Sequence, residues 1–188
     1  MARVRERLAA AAARAGRRPE EITFVAVTKG VALARIREAV AAGVTDLGES
    51  RVQEAAPKIA ALRTGARWHL VGHLQRNKAG LAAGLFSVIH SLDSVRLAEA
   101  LSRHAPQPLE LLLQVNVARE PQKFGVPPEA LASVLRSTAQ LPHIRIVGLM
   151  TIAPLTSDPE RARPVFRRLR TLRDEAARVL GTALPHLS

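Results

Sequence analysis

Between Ile22 and Leu180 the chain alternates six times between short apolar runs rich in β-branched residues and longer runs whose apolar positions recur at helical spacing. A strand followed by a helix returns to the same sheet as a parallel strand, through a right-handed crossover. Repetition of that unit therefore builds a parallel sheet with helices packed against it. The predicted strands cover residues 22–28, 44–47, 67–71, 86–91, 109–117 and 144–151. The predicted helices cover 33–42, 51–62, 77–83, 94–105, 127–140 and 158–180, after an Ala/Arg-rich helix over 2–15. Gly43 fits the C′ position of the 33–42 helix, Asp93 or Ser94 can cap the 94–105 helix, and Pro127 stands where a missing N–H costs least. The run 109–117 is continuously apolar, as in a strand buried on both faces. Residues 185–188 open a seventh strand.

Near-constant spacing of these units favours an α/β fold of the (β/α)8 TIM-like barrel type over an open doubly wound sheet. The glycine-rich first turn of the latter is absent, since Gly30 stands alone. A barrel of this type usually takes about 200 residues or more. The 188 residues present are expected to form a single domain over 1–188 that lacks its last strands.

Composition narrows the function classes. With 47% hydrophobic and 23% charged residues, the chain is that of an ordinary globular protein. No apolar run reaches the roughly 18–20 residues of a membrane span, and the N-terminus lacks a signal-peptide pattern, so a cytoplasmic protein with no membrane partner is expected. The absence of cysteine excludes thiolate catalysis and cysteine-ligated metals. A net charge of +12 invites a nucleic-acid reading. Arginines are nevertheless spread along helical stretches with acidic residues interleaved, the pattern of solvated helix faces, and only 3% of residues are aromatic. No nucleic-acid partner is expected.

In parallel barrels the functional groups gather at the C-terminal ends of the strands, where the βα loops share one mouth. The strand ends supply Lys29; Glu49 and Ser50; His69, Gly72 and His73; His90, Ser91 and Asp93; Asn116; Met150 and Thr151. Lys29 stands out as one of only four lysines in an arginine-rich chain, directly after the apolar run Ile-Thr-Phe-Val-Ala-Val. An amine in an apolar mouth has its charged form disfavoured and becomes nucleophilic toward an aldehyde, chemistry that arginine cannot perform. A solvated strand-end lysine is the plain alternative. His69 and His73 have a spacing seen in helical metal sites, but His69 falls in a predicted strand and no H-E-x-x-H glutamate is present, so no metal is expected. His90 with Asp93 could form a general-base pair. Met150 reads as a packing residue, Trp68 as core and Phe124 as a loop anchor.

Several stretches together resemble the pyridoxal phosphate homeostasis family: VAVTKG at 25–30, GES with RVQE at 48–54, WHLVGHLQRNK at 68–78, IHSLDS at 89–94, LLQVNVAREPQKFG at 112–125 and GLMTIAP at 148–154. The resemblance runs in order from about Ile22 to Ser188. It implies a fold-type III barrel similar to the barrel domain of alanine racemase. It also implies pyridoxal 5′-phosphate (PLP) as cofactor, held by Lys29 as a Schiff base, with Ser50, His69, His90, Asn116, Met150 and Ser188 as further cofactor-binding candidates. Two departures from the family pattern stand out. Ser50 replaces an asparagine, and the chain ends at Ser188, ahead of a segment that supplies most of the family's phosphate contacts.

The implied function is a carrier and buffer of PLP in intracellular PLP homeostasis, without clear turnover. PLP-dependent apo-enzymes are candidate recipients, and the chain is expected as a monomer or weak homodimer. A two-base racemase of this fold needs a tyrosine opposite the lysine, and the sequence contains none, so no racemase activity is expected. The alternatives are a PLP-dependent enzyme acting on amino acids with Lys29 as sole base, and a basic nucleic-acid- or protein-binding module.

Overall fold

The computed structural model describes residues 1–188. Its seven strands are β1 (Val25–Val27), β2 (Asp46–Glu49), β3 (Arg67–Leu70), β4 (Val88–Leu92), β5 (Leu109–Gln114), β6 (Ile144–Met150) and β7 (His186–Leu187). The helices are α1 (Ala2–Arg14), α2 (Leu33–Ala41), α3 (Val52–Leu62), α4 (Ala79–Leu85), α5 (Val95–His104), α6 (Leu131–Thr138) and α7 (Arg163–Leu180). The strands pair in sequential order β1 to β7, and every pair is parallel. Sequential order with a helix after each of the first six strands is the winding of a (β/α) barrel. Here β1 and β7 remain edges, because neither pairs with the other. The expected barrel type is present as a seven-stranded, open sheet.

The two faces of the sheet carry different cores. Outward-facing Leu47, Leu70, Ile89, Leu111, Leu113 and Leu149 are fully buried against the helices, together with Ile36, Leu101, Leu135 and Leu169. Each such side chain contributes roughly 1.5–3 kcal/mol by leaving water. Inside the curve of the sheet a small second cluster forms from Val88, Leu112, Val147 and Met150. Val25, Val27 and Val71 extend the apolar lining there, beside the polar His69 and His90. β5, buried along almost its whole length, matches its reading as a two-faced strand.

Several boundaries differ from the sequence-based expectation, for identifiable reasons. β1 covers three residues rather than 22–28: it has one neighbour only, and Val27 is about half exposed. β2 is shifted forward from 44–47, which brings Glu49 into the strand. α4, α6 and α7 start later than predicted because a 3-10 turn precedes each, at Arg76–Lys78, Pro128–Ala130 and Pro159–Ala162. Pro128 and Pro159 open the latter two turns, where a fixed φ and a missing N–H suit a tight first turn. Ser94, not Asp93, caps α5, its hydroxyl accepting from the Leu97 N–H at 3.3 Å. Gly43, at φ +83°, ends α2 as expected of a C′ glycine. No helix is long and apolar enough to cross a membrane.

Candidate functional site

Lys29 lies two residues past the end of β1. Its amine makes no ion pair, nor does that of Lys78, whereas Lys58 binds Glu49 and Glu54 and Lys123 binds Glu120. The expectation of an apolar mouth around it is corrected. Lys29 and Gly30 are exposed to solvent, because β1 is an edge strand and the loop after it has no neighbour on one side. What holds that loop lies beneath it. The ammonium of Lys58 donates to the Thr28 carbonyl at 2.7 Å, to Glu49 Oε1 at 2.7 Å and to Glu54 Oε1 at 2.8 Å. Thr28 Oγ1 donates to Glu49 Oε1 at 2.6 Å, and the Gly30 N–H donates to Glu54 Oε1 at 2.6 Å. Both residues flanking Lys29 are thus fixed by one carboxylate–ammonium–carboxylate cluster. Burial pushes the Lys58 ammonium toward neutrality, but its bonds to Glu49 and Glu54 outweigh this and raise its pKa. The Lys58 bond, followed by the Gly30 N–H, lowers that of Glu54. Glu49 is fully buried, and its Oε2 has no partner.

Ser50 follows this cluster, half-buried, with Gly72 packed on its backbone. A Cβ at Gly72 would lie 2.2 Å from the Ser50 carbonyl oxygen, so the β2 and β3 loops can touch only because residue 72 has no side chain.

The inner face of the sheet carries a hydrogen-bonded relay. Asp46 Oδ1 lies 2.9 Å from His69 Nε2, His69 Nδ1 lies 2.9 Å from His90 Nε2, and His90 Nδ1 lies 2.9 Å from Ser188 Oγ. Strand register explains it. Asp46 pairs with Arg67, two residues before His69, and His69 pairs with Val88, two residues before His90. Each member therefore stands one inward-facing position further along its strand than the last. From β4 the relay crosses the interior to Ser188, just beyond β7, which the sheet holds through its N–H to the Leu149 carbonyl at 3.0 Å and its carbonyl to the Thr151 N–H at 2.9 Å. Burial, then the charges of His69 and His186, push His90 down to about 4. Burial also lowers His69, against the pull of Asp46. Both rings are neutral at neutral pH. They border a cavity of about 780 Å³ inside the sheet, with Val27, Val71, Leu112 and Ser188 among its walls.

The remaining candidates separate into several roles. Asn116 organises the 116–125 loop: its Nδ2 donates to the Glu120 carbonyl at 2.8 Å and its Oδ1 accepts from the Glu120 N–H at 3.2 Å. Met150 packs inside the sheet, as expected. Thr151 donates to the Val115 carbonyl at 2.8 Å, and the buried Ser91 hydroxyl has no partner. Asp93 pairs with His73 at 3.3 Å, not with His90, which is turned into the interior by its bonds to His69 and Ser188. His73 also stacks on Phe124, ring centroids 3.6 Å apart, which identifies what the Phe124 anchor grips. His69 and His73 share no partner and do not form a pair. Trp68 is core. Asp46, Glu54 and Lys58 were not legible as site residues. Only the Glu54–Lys58 spacing of four on one helix hinted at a pair.

Residues 1–188 match the family described as alanine racemase, N-terminal domain. The pyridoxal phosphate homeostasis protein of Aquifex aeolicus is 41% identical over 192 residues, covering 100% of this chain and 84% of that protein. The protein of the same name in Escherichia coli K12 is 38% identical over 194 residues, covering 100% of this chain and 81% of its own length. Among solved structures, PipY of Synechococcus elongatus with PLP bound superposes with a TM-score of 0.83 at 37% identity, covering 98% of this chain and 87% of PipY. Its PLP-free form gives 0.85 at 39% identity, covering 97% and 86%. Alanine racemase of Corynebacterium glutamicum, at 16% identity, 87% coverage of this chain, 47% of its own and a TM-score of 0.65, shares the fold. Matched from end to end by these relatives and carrying their barrel, the chain belongs to the pyridoxal phosphate homeostasis protein family, within the alanine racemase N-terminal domain family.

Proposed function

We propose that the chain is a single PLP-binding domain that holds the cofactor through Lys29 and serves as its carrier and buffer in the cytoplasm, with PLP-dependent apo-enzymes as recipients. The observation that carries this reading is Lys29 itself. It is an amine with no ion pair, on a loop whose two flanking residues are pinned by Glu49, Glu54 and Lys58, in a chain 37% identical to a protein solved with PLP bound. The residues present fit the cofactor. A free amine suits its aldehyde, and the Ser188 hydroxyl stands just past β7, the other edge strand. His69 and His90 line the cavity that Ser188 borders, which supports their part in cofactor binding.

When bound, the cofactor would supply an aldehyde, and Lys29 Nζ would be the amine that holds it. The Glu49–Lys58–Glu54 cluster holds the Thr28 carbonyl and Gly30 N–H, so the lysine backbone is placed before the cofactor arrives. Binding without racemisation is supported by the absence of tyrosine from residues 1–188, so that no phenol of this domain can serve as second base. Titrating the protein with PLP and following absorbance near the visible edge tests the reading. Borohydride reduction and peptide mapping then locate the attachment. The expected site is Lys29, and attachment at another lysine, or none, contradicts it.

A further inference from the structure

We propose that anion capture by the Ser188 hydroxyl is coupled to uptake of one proton by the Asp46–His69–His90 relay. The inference rests on the reading above, in which the anion is the phosphate of PLP.

The relay fixes the direction of every proton along it. An ionised Asp46 can only accept, so His69 Nε2 carries a hydrogen and donates across the 2.9 Å contact. A neutral His69 then has a bare Nδ1, which accepts from the His90 Nε2–H. His90 in turn has a bare Nδ1, which accepts from the Ser188 O–H. Each proton points toward Asp46, and Ser188 turns only lone pairs outward.

A phosphate dianion also offers only lone pairs. To bind it, Ser188 must turn its hydrogen outward, and His90 Nδ1 must then carry a hydrogen to donate to Ser188 Oγ. If both rings stay neutral, this reversal passes down the relay and leaves a bare His69 Nε2 facing an ionised Asp46. Two acceptors at 2.9 Å cannot bond. One added proton, shared between Asp46 and the imidazoles, satisfies every contact. The proton comes from solvent and places positive charge behind the captured anion.

The groups around the rings set how readily that proton enters. Arg67 on β3 and His186 on β7 oppose it, while Asp46 on β2 and Glu110 on β5 favour it. Arg170 and Arg173 of α7, with Arg17 and Glu21 near α1, line the same cavity. In the free protein the relay is closed to protons at neutral pH, because burial keeps both rings neutral. The anion opens it.

Asp46→Asn separates the relay from the anion. The side-chain amide that this substitution introduces can donate to His69 Nε2, which permits the reversed relay with no added proton. The test is calorimetric titration with PLP at about pH 8, where PLP phosphate is a dianion, in two buffers of different ionisation enthalpy, on wild type and D46N. Protons exchanged when Lys29 bonds to the aldehyde cancel in the comparison. Wild type is expected to take up about one proton more per bound PLP than D46N. Equal counts, with the absorbance band intact in both proteins, overturn the coupling and leave PLP binding standing. No band in wild type removes the reading beneath it.

Nitrogen chemical shifts of the two rings in wild type give a second readout that needs no variant. Without ligand both rings should carry hydrogen on Nε2 alone. With PLP bound, His90 Nδ1 should become protonated, and a His90 Nδ1 that stays bare in the complex overturns the proposal.

Discussion

His90 is the residue whose chemistry departs furthest from that of a free side chain. Its pKa lies at about 4 against a usual 6.5, chiefly through burial, so the folded protein keeps it neutral while the unfolded chain protonates it. Between those two values the unfolded state binds more protons, and stability falls as pH falls. Folding stability should therefore be insensitive to His90 above pH 6.5 and decline by roughly 3 kcal/mol between about pH 6.5 and pH 4. Urea denaturation across that range, on wild type and His90→Gln, measures it. A variant with the same slope as wild type counts against this assignment. Lys58 gives a second prediction at this scale. Replacing it with Met leaves Glu49 buried and unpaired, at an expected cost of about 3–5 kcal/mol. Adding Glu49→Gln should recover part of that loss, and no recovery would point to packing of the lysine stem instead. Glu49, His69, His90 and Ser188 stand out singly as candidates in the sequence, but neither network was legible as a network. Asp46, His69 and His90 stand on three strands, and only the register of the parallel pairs brings them together, which a single sequence does not encode in any short motif.

Among the elements, β7 is the one on which Ser188 depends. It pairs with β6 through two residues only, and Gly148 makes the approach possible: a Cβ there would lie 2.1 Å from the His186 carbonyl oxygen. Gly148→Ala should push β7 off the sheet edge and break the His90–Ser188 contact. Hydrogen exchange at Ser188 and Thr151 should then rise sharply while the interior strands β3 to β5 stay protected. Unchanged protection at Thr151 would show that β7 tolerates the methyl. Strand and helix identity was legible throughout, because β5 is a continuous apolar run and apolar periodicity survives in the amphipathic helices. The ends were not. β1 is short because it is an edge, and α4, α6 and α7 begin late because a 3-10 turn takes up their first residues. Neither topology nor turn type leaves a periodic signal.

For the whole molecule, open edges at β1 and β7 put the two proposed cofactor contacts, Lys29 and Ser188, on opposite margins of one curved sheet. Ser188, but not Lys29, borders a cavity of about 780 Å³, within the usual range of about 300–1,000 Å³ for small-ligand sites. Its walls include Val88 and Leu112 of the inner apolar cluster together with His69, His90 and Ser188 of the relay. The barrel was legible from strand order and family resemblance, which also single out Lys29; of the support under that loop, Glu49 and Glu54 fall within the quoted stretches, whereas Lys58 of α3 lies outside them. The most direct test of the central claim is to titrate wild type and Lys29→Ala with PLP, reduce with borohydride and map the modified peptide. The prediction is a visible-edge band in wild type with the adduct on Lys29, and its complete loss in the variant with an unchanged circular dichroism spectrum. A band retained in Lys29→Ala at wild-type strength would contradict the assignment.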